Sequence, residues 1–271
     1  MMKTLGPQTA KLVQGIYDRG LDVFTLADAA DILGLEHKAT SGLIRAAIGR
    51  GVITRMRRGS FLLVPFELGS DTIYTGNSYV VGHRLLGDRK HYVSFASAMD
   101  MHNMTTQPQF ITWFSTEKPL RPYNEHGVEI RFVKTKLEHM FGITEMWSTP
   151  HQKVPVSDLE RTIIDGLHTT SNVGGYSEID KGAWMRRADI DPTKLVDYAL
   201  RLNVGAVIRR LGFLMESCDI GSACHHGALQ AQLTPSFSLL DPMLERGGQF
   251  QSRWRLQVNV SRDELMGDRS T

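Results

Sequence analysis

Apolar positions return at spacings of three and four in three short stretches near the start of the chain. The first set is Leu12, Val13, Ile16 and Tyr17, the second Ala29, Ile32 and Leu33, and the third Leu43, Ile44, Ala47 and Ile48. That period puts each set on one face of a helix. It predicts helices over residues 5–19, from Thr25 to a stop at Gly34, and from His37 to a stop at Gly51. Thr25 stands before the second helix with Asp28 three positions on, the spacing of an N-terminal cap. Residues 52–56 and 60–64 then carry branched and apolar side chains suited to strands, with Arg57, Arg58 and Gly59 as the turn between them. Helix, turn, helix and hairpin in this order is the pattern of a winged helix-turn-helix.

Past Pro65 the regular pattern stops, and a stretch rich in turn formers reads as a linker. The expected division falls near Gly69, giving domains 1–68 and 69–271. In the second part, helices are predicted over 79–86 and 95–104, with the sequence GDRKH as an interruption between them. Strands follow over 109–114, 128–133, 143–147 and 153–156. The clearest helix is 157–168. Ser157 and Glu160 have the spacing of a capping box, and Arg161 and Asp165 stand one turn apart, where they can pair. Four more helices are expected over 177–187, 192–202, 204–218 and 223–233, then two strands over 237–240 and 253–260. The fold class is α+β: an N-terminal winged helix-turn-helix followed by a larger mixed α+β domain.

Charge sharpens the picture. The formal charge of the whole chain is only +2. Nine of the 31 Lys/Arg and six of the 29 Asp/Glu fall in residues 1–68, so that part carries +3 and the remainder −1. From His37 to Phe66 there is no Asp or Glu at all. Such a field suits DNA, because phosphate contacts supply most of the sequence-independent affinity. The candidate DNA-binding residues are Lys38, Thr40, Ser41, Arg45, Arg50, Arg55, Arg57 and Arg58. Lys38, Ser41 and Arg45 share one face of the third helix and are placed to meet the major groove.

Catalytic chemistry is not evident. Cys218, Cys224, His225 and His226 lack a usual zinc spacing, and adjacent His residues on a helix point about a hundred degrees apart. There is no phosphate loop and no nucleophile elbow. His102 reads as a structural residue at a helix end. No metal and no cofactor is expected, and the protein is expected not to be an enzyme. Two cysteines do not make a disulfide framework, the N-terminus lacks an apolar signal core, and no apolar run is long enough to span a bilayer. A cytoplasmic protein without a membrane partner is the expectation.

Three segments carry a family likeness: GVITRMRRGSFLLVP, YVSFASAMDMHNMTTQPQFITWF and VPVSDLERTIIDGL. Their order and local motifs resemble the AbiEi antitoxins of type IV toxin–antitoxin systems, which are linked to phage defence. The likeness runs from about Phe24 to Leu167 and more loosely beyond. It implies a repressor of its own operon that binds an inverted repeat in double-stranded operator DNA. It also implies a second domain that counters a nucleotidyltransferase-like toxin. For the segment around Glu160, Arg161 and Asp165, capping and bracing of a helix is a sufficient account. The alternatives are a DNA-binding enzyme such as a nuclease, and a repressor whose second domain senses a ligand.

Overall fold

The structure, a computed structural model, describes residues 5–68, 74–118, 120–125, 127–261 and 265. It is a mixed α+β fold. The chain packs as two compact units, and these do not divide at one point. Unit 1 is Met1–Lys90 with Arg121–Arg131 and Glu145–Val154; unit 2 is His91–Leu120, Phe132–Thr144 and Pro155–Thr271. The boundary expected at Gly69 lies outside the described residues. The added pieces of unit 1 are parts of later strands, which a reading by local pattern cannot assign to an earlier segment.

Unit 1 opens with α1 (Pro7–Asp18), β1 (Phe24–Thr25), α2 (Leu26–Leu33), α3 (His37–Gly49), β2 (Ile53–Arg57), β3 (Ser60–Leu63) and α4 (Ser78–Leu86). Thr25 caps α2 reciprocally. Its backbone N–H donates to Asp28 Oδ2 at 2.7 Å, and Asp28 N–H donates to Thr25 Oγ1 at 3.2 Å. Gly34 ends α2 at φ 68°, a left-handed conformation that glycine adopts without a Cβ penalty. Leu12, Ile16, Ala29, Leu33, Ile44 and Ala47 bring the three helices together over Phe24, Ile53 and Phe61. The strands are ordered β1-β3-β2, all antiparallel, with Phe24 opposite Phe61. The two rings lie 5.7 Å apart, so the short strand β1 is held by an aromatic pair as well as by its ladder.

The later pieces of unit 1 tie back to this start. Tyr123 donates its hydroxyl to Met56 O at 3.3 Å, Asn77 Nδ2 donates to Ser148 O at 3.1 Å, and Thr149 donates to Asp22 Oδ2 at 2.7 Å.

The remaining elements are β4 (His91–Val93), α5 (Phe95–Met101), β5 (Ile111–Thr116), β6 (Tyr123–Glu125), β7 (Val128–Lys134), β8 (Ile143–Thr149) and β9 (Gln152–Ser157), followed by helices α6 (Leu159–His168), α7 (Tyr176–Met185), α8 (Pro192–Leu202), α9 (Gly205–Ser217) and α10 (Ala223–Gln230). Strands β10 (Ser238–Leu239), β11 (Gln249–Gln251) and β12 (Leu256–Val258) close the chain. The strand order of the larger sheet is β6-β7-β5-β4-β9-β8. Strand β4 runs antiparallel to β5 and parallel to β9, so the sheet is mixed. Sequence pattern does not reveal β4, because all three of its residues are buried and it shows no alternation. The last described strands form a three-stranded sheet ordered β10-β12-β11, where two strands are expected from the sequence.

The core of unit 2 is built around α6, which packs against α5, α7, α8 and α9. Ile163, Ile164 and Leu167 are fully buried. A side chain at Gly166 would collide with Ile179 of α7, so the close approach of those two helices requires glycine. The cap differs from expectation. Ser157 ends β9, and Asp158 caps α6 by accepting from Arg161 N–H at 2.9 Å. Glu160 therefore sits one position too early for a capping box. Instead it accepts from Asp191 N–H at 3.0 Å and pairs with Lys194 at 2.8 Å. Arg161 and Asp165 do pair across one turn, at 2.7 Å and nearly sealed from solvent. Among the described residues no helix is long and apolar enough to cross a membrane.

Candidate nucleic-acid interface

Helix α3 divides its residues sharply. Ile44 and Ala47 enter the core, with Leu43 and Ile48 packed against it. On the other side, Lys38, Gly42, Arg45 and Gly49 are exposed at spacings of four, three and four, and Ser41 is half-buried beside them. These positions form one stripe along the outer face. Lys38 and Arg45 make no hydrogen bond or ion pair among the described residues. A side chain at Gly42 or Gly49 would meet open space, so neither glycine is required by packing. Gly42, inside the helix, costs about 1 kcal/mol of helix propensity relative to alanine, while Gly49 is its last residue. What they leave is a shallow surface on which a partner can approach the helix backbone around two free cations. The glycines' seven-residue spacing, two helical turns, is the one sign of this shared face that the sequence carries.

Of the five candidate residues on or next to α3, two lie off this face. Thr40 is fully buried, and its hydroxyl donates to Glu36 O at 3.0 Å within the first turn of α3. Its position between Lys38 and Ser41 in sequence turns it inward, as a helical step of about 100° dictates. Arg50 follows the last residue of α3. It places Nη2 2.9 Å from Thr9 Oγ1, fastening the end of α3 to the start of α1. Its Nε is buried without a hydrogen-bond partner.

The β2–β3 hairpin places its three arginines differently. Arg55 and Arg57 point to the solvent side of β2, while Met56 between them is buried. A bulge between Arg55 and Arg57 shifts the register next to the turn. The Arg55 guanidinium lies 5.9 Å from the centre of the Phe61 ring. Arg57 is engaged: its guanidinium donates to Leu85 O at 3.4 Å and to Arg84 O at 3.3 Å, at the end of α4. A cation there complements the negative end of the helix. Arg58 is exposed at the turn beside Gly59, which has φ 82°, and makes no hydrogen bond or ion pair among the described residues. So Lys38, Ser41 and Arg45 are brought together on α3, Arg58 stands free on the hairpin, and Arg57 is held by the protein.

Of Cys218, Cys224, His225 and His226, Cys218 and His225 have polar partners, whereas His226 Nε2 is buried with none among the described residues. His225 Nδ1 lies 3.0 Å from Ser222 Oγ, and its Nε2 lies 3.2 Å from Thr193 Oγ1. Cys218 is buried and Cys224 exposed. Among the described residues no group of three or more His, Cys, Asp or Glu is placed to hold a metal ion. His102 lies at the end of α5, with Nε2 2.7 Å from Ser157 O. The carbonyl can only accept, so Nε2 carries the proton.

No protein-family model and no curated protein matches this chain. Among solved structures, a crystal structure of the RV2827C protein from Mycobacterium tuberculosis is similar in fold, with a TM-score of 0.73. It is 13% identical, and the alignment covers 99% of this chain and 97% of that one. The likeness extends over both units and concerns the fold alone.

Proposed function

We propose that this protein is a DNA-binding repressor of its own operon and the antitoxin of a type IV toxin–antitoxin pair. In this reading α1–α3 and the β2–β3 hairpin act as a winged helix-turn-helix, with α3 as the recognition helix. The observation that carries it is the outer stripe of α3. Lys38, Ser41 and Arg45 stand together there, two of them cationic and without internal partners, beside glycines that admit close approach. Lysine and arginine on such a helix can reach guanine edges or nearby phosphates, and serine can reach either kind of base. Arg58 adds a free cation on the hairpin, suited to the sugar-phosphate backbone or the minor groove.

The antitoxin part of the proposal rests on the likeness of the three quoted segments to AbiEi antitoxins. Unit 2 holds most of two of these segments and has its own core. It is the part proposed to counter a nucleotidyltransferase-like toxin, with the protein working in the cytoplasm. Mobility-shift titration of the full chain tests the DNA reading, with the region upstream of its own operon set against a scrambled duplex. Preferential binding to the upstream region is expected; equal affinity for both duplexes contradicts it. Co-expression with the toxin encoded next to it tests the second part, and unrelieved toxicity contradicts that.

A further inference from the structure

Unit 2 contains a cavity of about 250 Å³ that the DNA reading does not use. Its lining is unusual in charge. Lys134, at the end of β7, Lys136, just beyond it, His139, and Arg161 and His168 of α6 all line it. Asp165 also lines it, but that carboxylate is already paired with Arg161 at 2.7 Å. The Arg161 side chain is about 98% buried, accepted by Asp165 and by Tyr92 Oη at 3.3 Å. Its Nη1 has no hydrogen-bond partner. An unsatisfied donor on a buried charged group is costly in a folded protein. Lys136 shares a pair with Glu138 at 3.4 Å, but both side chains are more than two-thirds exposed and such a pair holds its lysine weakly.

The backbone supplies a second, independent sign. Phe95 lines the same cavity and has φ 54°. A bulky aromatic residue in the left-handed region is strained, and such strain persists where the surrounding structure fixes it, often at ligand sites. Phe95, Val133 and Leu202 add apolar side chains to the lining.

We propose that this cavity binds a small phosphorylated metabolite, a phosphate monoester held by its dianionic head. Two lysines and an arginine, with two histidines beside them, suit a doubly charged oxyanion better than a single carboxylate. The apolar side chains accommodate the organic part. The volume lies just below the roughly 300–1,000 Å³ of sites for drug-sized ligands, which fits a small ester. The phosphates of nucleic acid share this chemistry, and the test separates the two sources. His168 is held below the ordinary histidine value, first by desolvation and then by Arg161, His139 and Arg210, against the pull of Asp165. A bound dianion would draw it upward.

Calorimetry and imidazole NMR on the full chain provide the test, with inorganic phosphate and glycerol phosphate as probes. Glycerol at equal concentration and sodium chloride at equal ionic strength are the controls. Saturable binding of the phosphate probes is expected, with the His168 resonance moving toward the charged form. The variant Lys134→Ala/Lys136→Ala replaces two exposed side chains and leaves the buried network in place. It should lose at least about tenfold in affinity for glycerol phosphate. The same variant should bind a duplex as the parent does. Failure to saturate at millimolar concentration, or unchanged affinity in the double variant, overturns the proposal. A double variant that loses duplex binding while keeping the ester also overturns it. The phosphate and ester arms involve no DNA, so their outcome stands apart from that of the DNA reading.

Discussion

Arg50 reaches from the end of α3 to Thr9 on α1, Nη2 to Oγ1 at 2.9 Å, and so belongs to the packing of the helices rather than to the face that α3 presents. Replacement by alanine removes a hydrogen bond from a charged group and leaves Thr9 without this donor. Arg50→Ala is expected to lower stability by about 1–2 kcal/mol in urea unfolding. The salt dependence of DNA binding should stay as in the parent. A variant of full stability with a shallower salt slope would instead make Arg50 a phosphate contact.

The hairpin arginines are expected to separate. Arg58 is free, and Arg58→Ala should reduce the salt slope of binding by about one on any duplex. Arg57 spends its donors on the carbonyls of Arg84 and Leu85, so Arg57→Ala should chiefly loosen the hairpin against α4. Hydrogen exchange of the amides of β2 and β3, alongside binding isotherms at several salt concentrations, distinguishes the two effects. The same geometry bears on fragments. Cutting after Leu68 removes the partners of Arg57 and also Tyr74, whose N–H donates to Thr54 Oγ1 at 3.2 Å, and Tyr123. Residues 1–68 alone should therefore unfold at lower urea than unit 1 does in the full chain.

Much of the start of unit 1 is legible from local signals. The cap at Thr25, the stop at Gly34 and the apolar stripe of α3 all depend on residues a few positions apart, and each is found where the pattern puts it. The fates of Thr40 and Arg50 illustrate what a list of polar residues omits. Helical phase alone turns Thr40 inward, so that outcome could have been read from the sequence. Arg50 depends on Thr9, 41 residues away, and nothing local indicates it. Strand β4 was hidden because burial on both faces erases the alternation that identifies a strand. The cavity in unit 2 was equally hidden, since it joins residues from α5, β7 and α6 that share no motif.

The buried pair on α6 supports a direct stability test. Asp165 accepts from Arg161 and from Tyr92, whose hydroxyl donates at 3.2 Å. Beside this carboxylate, and first through burial, the Tyr92 hydroxyl is pushed well above its ordinary pKa. Asp165→Ala strands a buried guanidinium and should destabilise the protein by about 3–5 kcal/mol. Chemical denaturation of the parent and the variant measures it. A loss below about 1 kcal/mol would mean that the guanidinium finds another acceptor.

His102 gives the fold a dependence on pH. Desolvation holds its pKa below the ordinary value, against the opposing effect of the Ser157 carbonyl. The unfolded chain therefore binds the proton more readily. This contribution is fully present above about pH 6.5 and is lost as pH falls through the lowered folded value. His102→Gln should flatten the fall in stability on the acid side of pH 6.5, as measured by urea midpoints across that range. An unchanged acid slope would assign the dependence to other groups.

If the outer face of α3 reads DNA, as proposed, Arg45 is the residue whose loss shows it first. Arg45 is exposed, free of internal partners and off the apolar stripe, so Arg45→Ala should leave folding intact by circular dichroism. Binding isotherms on the upstream duplex and on a scrambled one, at several salt concentrations, give the answer. The expected result is a loss of about 1–3 kcal/mol on the upstream duplex and a smaller loss on the scrambled one. A folded Arg45→Ala protein that binds both duplexes as tightly as the parent would contradict the account.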